Sequence, residues 1–292
     1  MQSQQSASRV QSALHRFGVL AVAVFSVSSL TSCANLPADN ADAVLQRADT
    51  AMGGFALKSI SFSGSGTGAT FGQAYLAGQA WPKITYSSFS RVADYENSAF
   101  REDAARARAE PNGGGAVPLM GNGEQRTSGF LRGATAWNLV GPAPVAAPVA
   151  ADLRVHDLWT TPHGVIKAAL ANKATATQQM EDGRQMTAVS FTMPGKMRAT
   201  AFVNAAGLVE KIDSKMPHPV SGDTASTIRF TDYKDFGGVK FPMRIQQTLG
   251  GFPVLDLTVS EVKPNAPSGI EVPALVTAFS ENVVVTKAAD GV

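Results

Sequence analysis

Cysteine occurs once in the 292 residues, as Cys33, so no internal disulfide can staple the fold. Histidine is nearly as scarce. His15, His156, His163 and His218 are scattered, and none stands in a local metal-ligand spacing. An excess of one charge is also missing: 25 Lys and Arg oppose 23 Asp and Glu, and setting aside Arg9 and Arg16 near the N-terminus leaves 25 − 2 = 23 against 23. A neutral chain gives no reason to expect nucleic acid or an acidic partner. What is present is a hydrophobic content of 44%, enough for one large domain or two small ones.

The first segment carries Arg9 and Arg16, runs apolar from Phe17 to Phe25, and turns small and polar from Ser26 to Ser32. That order is expected of a secretory signal, and its apolar part is far shorter than the roughly 20 residues of a membrane-spanning helix. Leu30-Thr31-Ser32-Cys33 resembles the lipobox of bacterial lipoproteins. The resemblance implies a diacylglyceryl group on the Cys33 thiol and a mature chain that starts there. Ala34 then implies the periplasmic side of the outer membrane. Ser32-Cys33-Ala34 also has the small-x-small form of an ordinary cleavage site, which would release a soluble periplasmic protein.

After a tether from Asn35 to Asn40, Val44, Leu45, Ala48, Ala51 and Met52 recur at helical spacing, with Asp39 or Asn40 as N-cap and Gly53 as the stop. From Lys58 the pattern changes to strands: Ile60 and Phe62 alternate with serines, and Ile84–Val92, Ala99–Ala109 and Ala136–Leu139 follow. Pro111–Gly123 and Val140–Pro148 read as exposed loops, and Gly64–Ala69 as a flexible glycine-rich turn whose loose G-x-G-x-x-A pattern lacks the helix a dinucleotide site needs. Asp152–Trp159 and Gly164–Ala171 read as two helices parted at Pro162. Seven strand candidates between Thr175 and Val262 are then divided by turns such as Asp182-Gly183, Ala206-Gly207, Gly237-Gly238 and Gly250-Gly251. Consecutive short strands of this kind form an antiparallel meander. The expected fold is therefore α+β: a curved, mostly antiparallel sheet covered by helices near residues 40–52 and 152–171.

Thr231-Asp232-Tyr233, Gly237-Gly238-Val239-Lys240-Phe241-Pro242 and Val259–Asn265 resemble the LolA/LolB-type family of periplasmic half-barrels, some of which hold lipid in their concavity. Met52-Gly53-Gly54, Trp81-Pro82, Trp159-x-Thr161-Pro162-His163-Gly164-x-x-Lys167 and the closing Ala289-Asp290-Gly291-Val292 resemble the β-rich domain that precedes a metallo-β-lactamase-fold hydrolase domain in exported bacterial proteins. This implies a signal over 1–33, a half-barrel over 34–272, and a tail over 273–292 matching the start of the hydrolase domain. The His-x-His-x-Asp-His cluster that holds the metal in such enzymes is missing, so the resemblance transfers no catalytic residue and no cofactor; zinc would belong only to a separate hydrolase domain.

Residue by residue, the readings divide. His156 and His163, with Asp157 nearby, admit a metal site, but Pro162 interrupts the shared helical face, and Thr161-Pro162-His163-Gly164 is expected to cap the second helix, with His163 bonding locally. Arg101, Arg106 and Arg108 lie either on a solvated sheet face or along a polar ligand groove. Trp81, Trp137 and Trp159 belong either to ordinary core or to an apolar ligand cavity. Trp159, Thr161, Pro162, His163, Gly164 and Lys167 are the structural or binding residues implied by the family motif, and Cys33 is the lipidation site. The function expected is a non-catalytic, membrane-anchored accessory domain that binds an apolar ligand or a protein partner. The alternatives are a LolA/LolB-like carrier of lipid or lipoprotein, and a truncated metal-dependent hydrolase.

Overall fold

The computed structural model describes residues 40–72, 74, 76, 78–109, 123–193, 197–218 and 222–280. The signal segment with Cys33, the tether before Asn40, residues 111–122, the Pro194-Gly195 turn and residues 281–292 lie outside the described residues. Asn40 opens helix α1 (Ala41–Met52), its side chain accepting from the Asp42 amide at 3.0 Å, and Gly53 closes the helix in the left-handed conformation at φ 70°. Val44, Leu45, Ala48 and Met52 form one stripe, and all four are buried.

Strands β1 (Ser59–Ala69), β2 (Lys83–Asp94), β3 (Ala99–Arg108), β4 (Gln125–Arg132), β5 (Thr135–Val140) and β6 (Ala143–Ala146) follow as one meander. The chain then crosses through a short 3₁₀ turn, α2 (Ala151–Trp159) and α3 (Pro162–Ala171). A second meander returns it: β7 (Thr175–Glu181), β8 (Arg184–Met193), β9 (Met197–Val203), β10 (Val209–His218), β11 (Gly222–Phe236), β12 (Val239–Leu249) and β13 (Phe252–Pro264). β13 pairs with β1, which joins the meanders into a 13-stranded antiparallel sheet with order β6-β5-β4-β3-β2-β1-β13-β12-β11-β10-β9-β8-β7. Its edges β6 and β7 do not pair with each other, so the sheet curls around the helices without closing.

Two expectations are corrected here. Gly64–Ala69 is no turn but the second half of β1, at the centre of the sheet. A Cβ on Gly64, Gly66 or Gly68 would lie 2.1, 2.1 or 2.4 Å from the carbonyl oxygens of Thr258, Asp256 and Val254 on β13. Only glycine permits that approach, and its period of two is that of a strand. Likewise Val140–Pro148 is not a loop: it ends β5, turns at Gly141 and pairs back as β6.

Residues paired across strands share a face, and the register thus sorts the side chains. Ile60, Phe62, Phe241, Leu257 and Val259 face inward, where α1 and α3 bury them with Leu45, Met52, Val165 and Ile166. Each such fully buried side chain stabilises the fold by about 1.5–3 kcal/mol. On the outer face, Ala99, Phe130 and Trp137 form a second cluster, covered by Ile270 and Val276. This covering segment, which ends in α4 (Ala274–Thr277), is held by Ser268 Oγ donating to Asp94 (2.6 Å) and by Arg132 donating to the Ile270 carbonyl (2.5 Å). Residues 273–280 thus pack on the same sheet as the half-barrel residues before them.

Candidate functional site

The motif residues between Trp159 and Lys167 meet at one joint, where α3 locks onto the end of α1. Thr161 Oγ1 donates to the Leu158 carbonyl (3.0 Å) and accepts from the Gly164 amide (3.2 Å), capping α3 as the sequence implies, with Pro162 in its first turn. Having spent its only proton, the hydroxyl also accepts from Tyr95 Oη at 2.9 Å. Gly164 admits no side chain, because a Cβ would stand 2.5 Å from Thr161 Oγ1 and 2.6 Å from the Leu158 carbonyl oxygen. His163 does not bond locally. Its Nε2 reaches the Met52 carbonyl at 3.1 Å, which requires Nε2 to carry the proton, and its ring lies parallel to Phe241 at 6.2 Å. Burial pushes His163 down to about 4, so it is neutral at pH 7. Lys167 Nζ donates to the Gly54 carbonyl (2.8 Å), Trp159 packs near Tyr95 with ring centroids 6.1 Å apart, and Gly53 sits so close to Gly238 that no Cβ would fit between them. The distant motifs Met52-Gly53-Gly54, Thr161–Lys167 and Gly237–Phe241 therefore form one structural clamp, with Met52, His163 and Phe241 buried at its centre.

His156 lies on α2, apart from His163, so the shared helical face is not formed. Its Nε2 is 2.9 Å from Ser214 Oγ on β10, and its Nδ1 is 3.5 Å from Asp157 Oδ1. The order matches a nucleophile relay, but the second link is not a hydrogen bond and Nδ1 is left buried without one. His156 serves instead as an anchor between α2 and β10. Among the described residues no group of three or more His, Cys, Asp or Glu converges as a metal site would require.

The tryptophans do not share a cavity. Trp159 joins the main core, Trp137 stacks on Phe130 on the outer face, and Trp81 lies at one end of the sheet with Phe71 and Phe252. The arginines of β3 part company in the same way, for a reason of parity. Arg101 points outward, paired with Asp103, whereas Arg106 lies on the inner face opposite Tyr86.

That inner face holds the candidate site. Toward the end of the half-barrel that α1 and α3 leave uncovered, a hollow of about 320 Å³ lies between α2 and the sheet. Its apolar wall is Phe71, Phe89, Met216, Leu249, Val254 and Leu255; its polar wall is Tyr86, Arg91, Glu102, Arg106, Asp157 and Gln247. A second hollow of about 570 Å³ lies over β3–β5 beneath Arg154, and Glu102, Arg106, Leu153 and Asp157 line both. Volumes of this order are those of ligand pockets.

The charges in the wall are mostly committed. Arg91 pairs with Glu102 through Nη2 and through Nε at 3.1 Å, lies 4.0 Å from Asp157, and is flanked by the rings of Phe89 and Phe100. Against burial, which would raise it, Arg91 and His156 hold the Asp157 carboxyl below its usual range. Arg154 fills the space left by Gly129 and donates to the carbonyls of Phe130 (2.9 Å) and Trp137 (2.8 Å) and to Asn138. Arg106 differs: its guanidinium meets the Tyr86 hydroxyl, but its Nε is buried with no hydrogen-bond partner. Sequence reasoning passed over Arg91 and Arg154 as members of this wall; the alternation of Phe89, Arg91 and Ala93 on a strand was the signal of an inward charge at 91.

No protein-family model matches the chain, and no curated protein sequence matches it. Among solved structures, a putative outer membrane lipoprotein-sorting protein domain from Vibrio parahaemolyticus is similar at a TM-score of 0.50 and 11% identity, over 80% of this chain and 95% of that one. A LolA superfamily protein from Nitrosomonas europaea is similar at a TM-score of 0.47 and 15% identity, over 78% of this chain and 94% of that one. The curved, unclosed antiparallel sheet wrapped on helices is a half-barrel, the fold shared with the lipoprotein-sorting protein domain.

Proposed function

We propose that the chain is an exported carrier that takes an apolar chain of a lipid or lipoprotein into the hollow at the open end of its half-barrel. One observation carries this reading. Phe89, Met216, Leu249, Val254 and Leu255 turn an apolar wall toward a space left open between α2 and the sheet. The half-barrel shared with the lipoprotein-sorting domain agrees with it as a fold. Acylation at Cys33 would hold this carrier on the periplasmic side of the outer membrane, and palmitate labelling lost in Cys33→Ala tests that anchor.

Native mass spectrometry of protein extracted from membranes tests the carrier reading. A carrier retains a lipid in addition to its own anchor, and Leu153→Trp, which fills the ridge between the two hollows, releases it. Protein that leaves the membrane without such a lipid, or binds it equally well with Trp at 153, is no carrier of this kind. The half-exposed setting of Leu153 makes the variant tolerable to the fold.

A further inference from the structure

Resting on the carrier reading, we infer that the ligand is an amphiphile with an anionic oxygen head, held by Arg106 at the junction of the two hollows. The polar wall is asymmetric. Arg91 spends its guanidinium on Glu102 and the nearby Asp157, and Arg154 spends its own on two carbonyls and Asn138. Among the described residues, no carboxylate lies within 4 Å of Arg106. The group beside it is Tyr86, its cross-strand partner, whose hydroxyl burial and the Glu102 charge hold in the neutral form. With Arg126 set aside on Glu124, counting Arg91, Arg106 and Arg154 against Glu102 and Asp157 leaves one positive charge over among the described residues, at Arg106, whose buried Nε also lacks a hydrogen bond.

A buried N–H without a partner is costly, and so is a cation removed from water without a counter-ion. The second cost falls when a carboxylate or phosphate oxygen in either hollow pairs with the guanidinium of Arg106, which lines both. The surroundings set the orientation of such a ligand. On one side of Arg106 is the wall of Phe89, Met216, Leu249 and Leu255, which suits an alkyl chain; on the other is the hollow lined by Thr127, Ser128 and Asn138, which suits a polar head. An uncharged chain would leave the guanidinium unsatisfied and bury it deeper. Recognition of the head is therefore built into β3, while the apolar wall comes chiefly from β2, β10, β12 and β13.

Competition binding with three probes of equal chain length, palmitate, hexadecyl phosphate and hexadecanol, tests this on the delipidated full chain. The expected result is at least tenfold tighter binding of one or both anions than of the alcohol, a preference that falls to within threefold in Arg106→Gln and survives partly in Arg106→Lys. Equal binding of all three by the wild-type protein overturns the head-group inference while leaving the carrier reading standing, and needs no variant to be folded. A preference that persists undiminished in a folded Arg106→Gln overturns the role of Arg106. If none of the three binds, the carrier reading fails and takes this inference with it.

Discussion

The inner face of the sheet has two halves built on different terms. Where α1 and α3 cover it, Leu45, Ile60, Phe241 and Leu257 are wholly excluded from water, and the polar side chains that intrude are uncharged, Thr161 and His163 each bonding a backbone carbonyl although His163 Nδ1 has no partner. Where α2 alone covers it, Arg91 enters from β2, Glu102 and Arg106 from β3 and Asp157 from α2 itself, and space is left between them. A fold gains most by burying apolar area and loses by burying charge. The buried charges of the second half are what the ligand proposed above would account for.

Three measurements can break or sharpen this contrast. The largest effect is expected in the closed half: Phe241→Ala removes a ring in contact with Phe62 at 4.9 Å and with His163, and should cost about 3–5 kcal/mol by chemical denaturation. A loss below about 1 kcal/mol would mean that this half is not the core. Next comes His163, whose folded value near 4 lies below the unfolded value near 6.5. The unfolded chain takes up the proton first, so His163 contributes its full stability above about pH 6.5, loses it as pH falls, and levels off below about 4; the span is on the order of 3 kcal/mol. His163→Gln, which keeps a donor for Met52, should flatten the profile by that difference, and a variant with an unchanged profile would refute it. The smallest effect belongs to the open half. Arg106→Gln removes a charge that has no ion-pair partner among the described residues, and without ligand its unfolding free energy should match the wild type within about 0.5 kcal/mol or exceed it. A loss of several kcal/mol would make Arg106 a structural residue.

The meander was legible in the sequence because its turns carry their own chemistry: Asp182-Gly183, Gly237-Gly238 and Gly250-Gly251 all take positive φ, and the runs between them alternate. The glycines of β1 misled for the same reason, since Gly64, Gly66 and Gly68 resemble a turn until the approach of β13 is known. The site was far less legible. Trp81, Trp137 and Trp159 sit in three places because the face of a strand residue depends on register, and the bulge between Tyr86 and Ser88 shifts that parity within β2. The partner of His163 lies 111 residues away, which no local pattern announces. The hydrolase-associated part of the resemblance rests on sequence motifs alone.

The pairing of β1 with β13 has a consequence for how the chain folds. The seam at the middle of the sheet joins segments as far apart as Lys58 and Asn265, which hydrogen-bond at 2.8 Å across 207 positions. Closing so long a loop precedes any reward from the contact, which makes such a step slow. A chain delivered N-terminus first can build β1–β6 as a hairpin series, but its central seam waits for the last strand. Until residues 252–264 arrive, β1 presents an open edge of unpaired backbone groups, and its glycine half does little to fix the register of whatever strand arrives.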